Sequence, residues 1–239
     1  MSDQESLHLN RTTVLRLAKY LRVLNKLRTL GFVRVFSNNL GDAVGVTPAV
    51  VRKDFSQINV PGNKRGGYNI DTLILELEKV LGKDDEQNLV IVGCGRIGSA
   101  LMHADSFEKD GLRVVAGFDA DPARVDRDAE PPVLPMSELH DYCRANNVRV
   151  GVIAVPDSQA TAAFDAMIAS GIRGLLNFTS VELKCVGKCD RNSCPIQCVV
   201  HSVNFSLEIE NIFYVLHSQE RTLLESLSRV EVGRTGDDI

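Results

Sequence analysis

The run Asn88-Leu89-Val90-Ile91-Val92-Gly93-Cys94-Gly95-Arg96-Ile97-Gly98-Ser99-Ala100-Leu101 constrains this chain more than any other stretch. A strand-length apolar segment meets G-x-G-x-x-G and then a segment able to continue as a helix. Only in that setting does the glycine spacing carry meaning. Gly93 permits a tight turn, Gly95 lets a pyrophosphate approach bare backbone, and Gly98 lets the helix pack closely on the strand. The start of the helix offers unpaired N–H groups and the positive end of its dipole to phosphate. The next strand, Arg113–Phe118, ends at Asp119. An acid about twenty residues past the last glycine hydrogen-bonds the adenosine ribose hydroxyls and repels a 2′-phosphate. The pattern predicts a dinucleotide site that takes NAD(H) rather than NADP(H). A glycine-rich turn that binds no nucleotide is the bland alternative.

Further strand–helix units follow. Val148–Val155 reads as a strand with Pro156 after it, Asp157 as the cap of a helix to about Ser170, and Gly174–Thr179 as another strand and its exit. Alternating strands and helices predict an α/β domain with a doubly wound parallel sheet of the Rossmann type. The strand ends should line the cofactor crevice.

The segment before this domain has a different character. Residues 1–66 hold eleven Lys/Arg against four Asp/Glu, whereas residues 67–239 hold sixteen against twenty-seven, within a net charge of −4. Residues 12–30 repeat Val14, Leu17, Leu21, Leu24 and Leu27 at helical spacing, with Gly31 as the stop. A short helix fits Ser37–Val44, ending at Gly45. A third begins where Thr47 can cap and Pro48 can occupy the first helical position. The turn-rich, basic segment Val60–Ile70 then reads as a wing. Together these predict a winged helix-turn-helix whose third helix lies in the DNA major groove. Arg52 and Lys53 would reach guanine or phosphate, and Thr47 and Ser56 would contact phosphate. The wing would bring Lys64 and Arg65 to DNA, Arg65 in a narrow minor groove, with Gly66 and Gly67 letting the backbone approach the sugar–phosphate wall. A small helical domain that packs against a partner protein is the alternative. Asp71 is expected to cap a fourth helix to about Leu81, and residues 82–87 to form a linker.

At 239 residues, with 44% hydrophobic and 24% charged side chains, the chain has an ordinary globular composition. Its apolar runs fall short of the ~20 residues of a membrane span. The N-terminus lacks a secretory signal pattern, so a cytoplasmic protein is expected. The resulting division is 1–83 for DNA binding, 84–203 for NAD(H) with a Cys-rich insertion at 185–198, and 204–239 for a C-terminal dimerisation helix and tail.

A winged helix followed by a Rossmann domain, in this order and size, resembles the Rex family of redox-sensing transcriptional repressors. The resemblance spans residues 14–182. It is carried by Arg16–Leu24, Val51-Arg52-Lys53-Asp54, Lys64-Arg65-Gly66-Gly67-Tyr68-Asn69, Ile91–Leu101, Phe118-Asp119-Ala120-Asp121-Pro122 and Gly174–Phe178. It implies a homodimer on a double-stranded, near-palindromic operator that is released when NADH replaces NAD+. NAD(H) would serve as a ligand and not as the partner in a reaction. It also implies that Gly93, Cys94, Gly95, Arg96, Ile97, Gly98 and Asp119 hold the cofactor, with Val155, Pro156, Asn177 and Phe178 near it. The C-terminal stretch Phe205–Val230, with Leu207, Ile212, Phe213, Leu216, Leu223, Leu224 and Leu227, resembles the family's swapped helix. Family members often pair a Tyr after the glycine motif with an Asp near that helix. Ala104 and Asn204 stand at the matching places.

The resemblance leaves Cys185-x₃-Cys189-x₄-Cys194-x₃-Cys198 unexplained. Four thiolates suit zinc or an iron–sulfur cluster. A thiol–disulfide switch and inert cysteines are the rival readings. Two other functions stay open: a transcription factor switched by chemistry at these cysteines, and an NAD-dependent dehydrogenase. The dehydrogenase would need an acid–base group such as His103 or His201 near the nicotinamide.

Overall fold

The computed structural model describes residues 9–60, 66–83, 86–184 and 198–234, with side chains described to residue 222. The chain forms two compact units, Met1–Gln87 with Asp105–Arg113, and Asn88–Ala104 with Val114–Ile239.

In the first unit α1 is Arg11–Thr29, β1 Arg34–Val35, α2 Ser37–Val44, α3 Pro48–Gln57, β2 Tyr68–Asn69 and α4 Ile70–Val80. Local chemistry sets each boundary. The Asn10 side chain accepts the Thr13 N–H to start α1. Gly45, at φ 77°, ends α2 in the left-handed region, which costs glycine no steric strain. Thr47 accepts the Val50 N–H at 3.4 Å, with Pro48 at the first helical position of α3. The cap of α4 differs from the expectation. Asn69 accepts the Thr72 N–H at 3.0 Å, and Asp71 sits inside the first turn. The short ladder β1–β2, pairing Val35 with Tyr68, fixes Asn69 at the strand end and so starts the helix two residues early.

The α1 stripe also differs. Leu17, Leu21 and Leu24 are buried as expected, but so are Thr13 and Tyr20, while Val14 is exposed. Tyr20 turns inward because its hydroxyl donates to the buried Asp54 carboxylate at 3.0 Å. Its ring then meets Phe55 edge-on at 5.4 Å, and Phe55 meets Tyr68 in the same way at 5.0 Å. Such ring pairs favour edge-to-face geometry.

In the second unit β3 is Gln87–Val92 and α5 Arg96–Met102. The next helix, α6 (Asp105–Lys109), groups with the first unit, where Asp110 accepts the Arg22 guanidinium at 2.7 and 2.5 Å. The chain continues as β4 (Leu112–Asp119), β5 (Val133–Pro135), α7 (Leu139–Ala145), β6 (Val150–Ile153), α8 (Ala160–Ala169), β7 (Gly174–Asn177), β8 (Val199–Ser202) and α9 (Phe205–Arg234). The sheet order is β5-β4-β3-β6-β7-β8. β6 pairs in parallel with β3 and β7, and β8 with β7. Taken in chain order from β3, this is the doubly wound 3-2-1-4-5-6 arrangement, whose crevice opens where the order reverses, between β3 and β6. Both strands are apolar throughout their inner residues because helices cover both faces. Val90, Val92, Phe118, Ile153, Phe164 and Met167 make the centre of that core.

Asp157 does not cap α8. It lies in a single 3-10 turn before the helix, and its carboxylate accepts the Ser180 N–H at 3.0 Å and the Ser180 hydroxyl. The acid is thus spent on tying the exit of β7 to the start of the β6–α8 crossover. Among the described residues no helix is long and apolar enough to cross a membrane.

Candidate nucleotide-binding cleft and nucleic-acid interface

A cleft of about 670 Å³ opens at the carboxyl ends of β3, β4 and β6. Its walls include Gly93, Gly95, Arg96, Ile97, Asp119, Val155 and Pro156, all expected from sequence, and also Arg124, Met136 and Gln159. The glycine turn is built as its spacing requires. Gly93 has φ +94°, and a Cβ there would lie 2.6 Å from the Ala154 carbonyl oxygen. A Cβ on Gly98 would lie 1.8 Å from the Gly93 carbonyl oxygen, so α5 could not start where it does. Gly98 therefore shapes the floor without lining the cleft.

Cys94 also stays out of the lining and contributes through its backbone. Its N–H donates to Asp119 Oδ2 at 2.7 Å, joining the turn to the end of β4. Burial, with the Asp119 charge, pushes the Cys94 thiol up to about 11, so it is a neutral packing group at neutral pH.

Asp119 is almost fully buried. Its Oδ1 accepts the Asp121 N–H at 2.9 Å, and its Oδ2 accepts the Arg124 guanidinium at 3.2 Å besides Cys94. Burial works to raise its pKa. The two N–H groups and the arginine outweigh burial and hold the carboxyl below its ordinary value. An ionised, rigidly aimed acceptor at a β4 strand end is what recognition of a ribose diol needs.

Two residues expected near the cofactor do not line this cleft. Asn177 is fully buried. Its amide donates to the Val181 carbonyl and the Ser202 hydroxyl, at 2.9 and 3.2 Å, and accepts the Thr179 N–H and hydroxyl. All its hydrogen-bonding capacity goes into the β7 exit. Phe178 turns to the Phe205 ring at 5.8 Å. Of the family's Tyr/Asp positions, Ala104 follows α5, and Asn204 caps α9, accepting the Ser206 and Leu207 N–H groups.

The winged helix presents α3 with Arg52, Lys53 and Ser56 exposed. Arg52 donates to the Ser37 hydroxyl at 3.1 Å, and Thr47 is occupied as the helix cap. Directly after the exposed cations, Asp54 points inward. It is 1% exposed and accepts Arg16 Nε and Nη2, both at 2.7 Å. Sequence reading assigned Asp54 no role, because a lone acid inside a basic helix looks like surface. Arg34 donates to the Gly66 carbonyl at 2.5 Å, at the base of the wing. Lys64 and Arg65 lie outside the described residues, as do Cys185, Cys189 and Cys194. Cys198 is half-buried just before β8. Among the described residues no group of metal-ligating side chains assembles.

Fold and site together define a class: DNA-binding regulators that carry a dinucleotide cleft on the same chain. Comparison with known proteins narrows it. Residues 9–56 match a family described as "Putative DNA-binding protein N-terminus", and residues 84–181 match one described as "CoA binding domain". The chain is 35% identical over 218 residues to the redox-sensing transcriptional repressor Rex of Desulforamulus reducens, covering 91% of this chain and 100% of that one. The crystal structure of RSP, a Rex-family repressor, in complex with β-NAD+ and operator DNA is 27% identical, with a TM-score of 0.77, covering 92% of this chain and 97% of that one. The complex of RSP with β-NADH gives 27% and 0.72, covering 92% and 99%. The chain belongs to the Rex family of redox-sensing transcriptional repressors.

Proposed function

We propose that this chain is a transcriptional repressor that binds operator DNA through its winged helix and senses the NADH/NAD+ ratio in its second unit, releasing DNA when NADH binds. The observation that carries the reading is the cleft at the sheet's reversal point, where the Gly93 turn and the ionised Asp119 meet. The chain works as a cytoplasmic homodimer, with residues 1–83 for DNA, 84–203 for NAD(H) and 204–239 for dimerisation. Gly93, Gly95, Arg96, Ile97 and Asp119 hold the dinucleotide, with Val155 and Pro156 on the opposite wall, while Cys94 and Gly98 shape the turn from behind. Thr47, Arg52, Lys53, Ser56, Lys64, Arg65 and Gly66 meet DNA.

The dinucleotide acts as a ligand and not as a co-substrate. The titratable side chains among the described lining residues are Arg96, Asp119 and Arg124, none of them suited to exchange a proton with an alcohol near neutral pH. His103 turns its ring to the Ser99 carbonyl of its own helix at 2.9 Å. A ligand can shift an equilibrium only through its different affinities for the two states. NADH must therefore favour the DNA-released form over the DNA-bound form more strongly than NAD+ does.

DNA-binding anisotropy on an operator selected from random sequence tests this, with NADH and NAD+ titrated separately under anaerobic conditions at fixed salt. Release by micromolar NADH, and not by NAD+, is expected. Binding that ignores both nucleotides but follows metal loading or oxidation would transfer the sensing role to the four-cysteine run. Steady turnover of NADH with small carbonyl compounds would make the chain an enzyme.

A further inference from the structure

Arg124 is a side chain in the cleft for which the sequence pattern gives no role. Its guanidinium Nη1 lies 3.4 Å from where a Cβ on Gly95 would stand, against the backbone of the glycine turn. The same nitrogen donates to Asp119 Oδ2 at 3.2 Å, and its Nε lies 3.7 Å from Asp121 Oδ2. Two carboxylates therefore hold one cation between the turn that would receive a pyrophosphate and the acid that would receive a ribose. The side chain remains 48% exposed. A guanidinium carries five N–H donors in a rigid fork suited to phosphate, so one bond to Asp119 leaves others for a ligand.

We infer that Arg124 is a specificity-determining residue: it is the cation placed to receive a ribose 2′-phosphate, and Asp119 keeps it occupied. Preference for NAD(H) over NADP(H) then resides in the pair. Asp119 does two things at once. It accepts the ribose hydroxyl, and it neutralises the Arg124 cation that could reward the extra phosphate. Arg124 in return aims the carboxylate, together with the Cys94 and Asp121 N–H groups. The inference rests on the nucleotide-binding reading above.

Calorimetric titration of the full chain with NADH and with NADPH tests it, using wild type, Asp119→Asn, Asp119→Asn/Arg124→Ala and Arg124→Glu. Wild type should favour NADH. Asp119→Asn should bind NADPH about tenfold or more tightly than wild type does, the scale of one charge-assisted hydrogen bond. Adding Arg124→Ala should abolish that gain. Arg124→Glu leaves Asp119 in place and covers the case in which Asp119→Asn does not fold. It should weaken NADPH about tenfold more than NADH, because the 2′-phosphate would then face a third acid beside Asp119 and Asp121. An Asp119→Asn protein no better for NADPH than wild type overturns the inference. So does a double variant that retains the gain, or an equal loss of both ligands in Arg124→Glu. Wild type that binds neither dinucleotide overturns this inference and the nucleotide reading together. Wild type that binds NADH while any of those variants fails overturns the role of Arg124 alone.

Discussion

At the scale of single residues, buried charge decides more than exposed charge. Asp54 is enclosed between α1 and α3 and holds both a bidentate arginine and a phenol. Removing one partner of a buried pair strands the other, which costs more than the pair itself contributes. Asp54→Ala should lower stability by about 3 kcal/mol, read from urea denaturation at neutral pH. A loss under about 1 kcal/mol, the range of exposed pairs, would mean that solvent reaches Arg16 and that the network does not fasten α3. Asp119 gives a pH signature. Its folded pKa is depressed, so its contribution to stability is complete above the unfolded value of about 3.9 and is lost as pH falls through the folded value. The stability gap between wild type and Asp119→Asn should therefore narrow on acidification from pH 7 to about pH 3. A gap that stays constant would show that the carboxylate's charge contributes nothing. Asp119 was legible because its distance from the glycines follows from the geometry of two neighbouring strands. Arg124 was not, because it ends a single 3-10 turn, Pro122–Arg124, capped by Asp121, and reaches the cleft only through the fold of residues 119–125, for which no spacing rule exists.

At the scale of elements, boundaries readable from local hydrogen bonding were read correctly, and those set by tertiary pairing were not. Gly45, Thr47 and Pro48 act within a few residues of themselves, and α2 ends and α3 begins where they direct. The start of α4 depends instead on β2 pairing with β1 across more than thirty residues of sequence, which no local pattern reveals. Asn69 is consequently the cap, and Asp71 only complements the helix dipole. Asn69→Ala should cost about 1 kcal/mol and Asp71→Ala less than about 0.5 kcal/mol. Urea midpoints of the two single variants decide the order. The reverse ranking would restore Asp71 as the cap. The same distinction explains Asp157, whose neighbours in sequence suggest a helix cap but whose partner, Ser180, arrives from the next crossover. Asn177 likewise stands at a strand end where ligand contacts are common, yet the β7–β8 connection claims its amide first.

At the scale of the whole molecule, α9 demands a partner. Over its described side chains Phe205, Ile209, Ile212, Phe213 and Leu216 recur at helical intervals on one stripe. All are between 48% and 59% exposed. Along a helix of 30 residues the described stripe runs over residues 205–216, about 17 Å at 1.5 Å per residue, and a monomer rarely leaves a contiguous apolar stripe to water. The family resemblance supplies the occupant, a second copy of the chain, and the stripe is the surface by which it would dock. Each operator half-site needs its own winged helix, so dimerisation and operator affinity should fall together. Paired Ile209→Asp and Phe213→Asp substitutions place two charges in that stripe. They leave the cores of both units untouched, since neither residue contributes to them. Light scattering at micromolar concentration should give a dimer for wild type and a monomer for the double variant. Anisotropy should show the variant binding a single half-site as wild type does while losing its advantage on the full palindrome. A wild-type monomer would refute the dimer reading. A dimeric double variant would move the interface off α9 and leave its apolar stripe to some other partner.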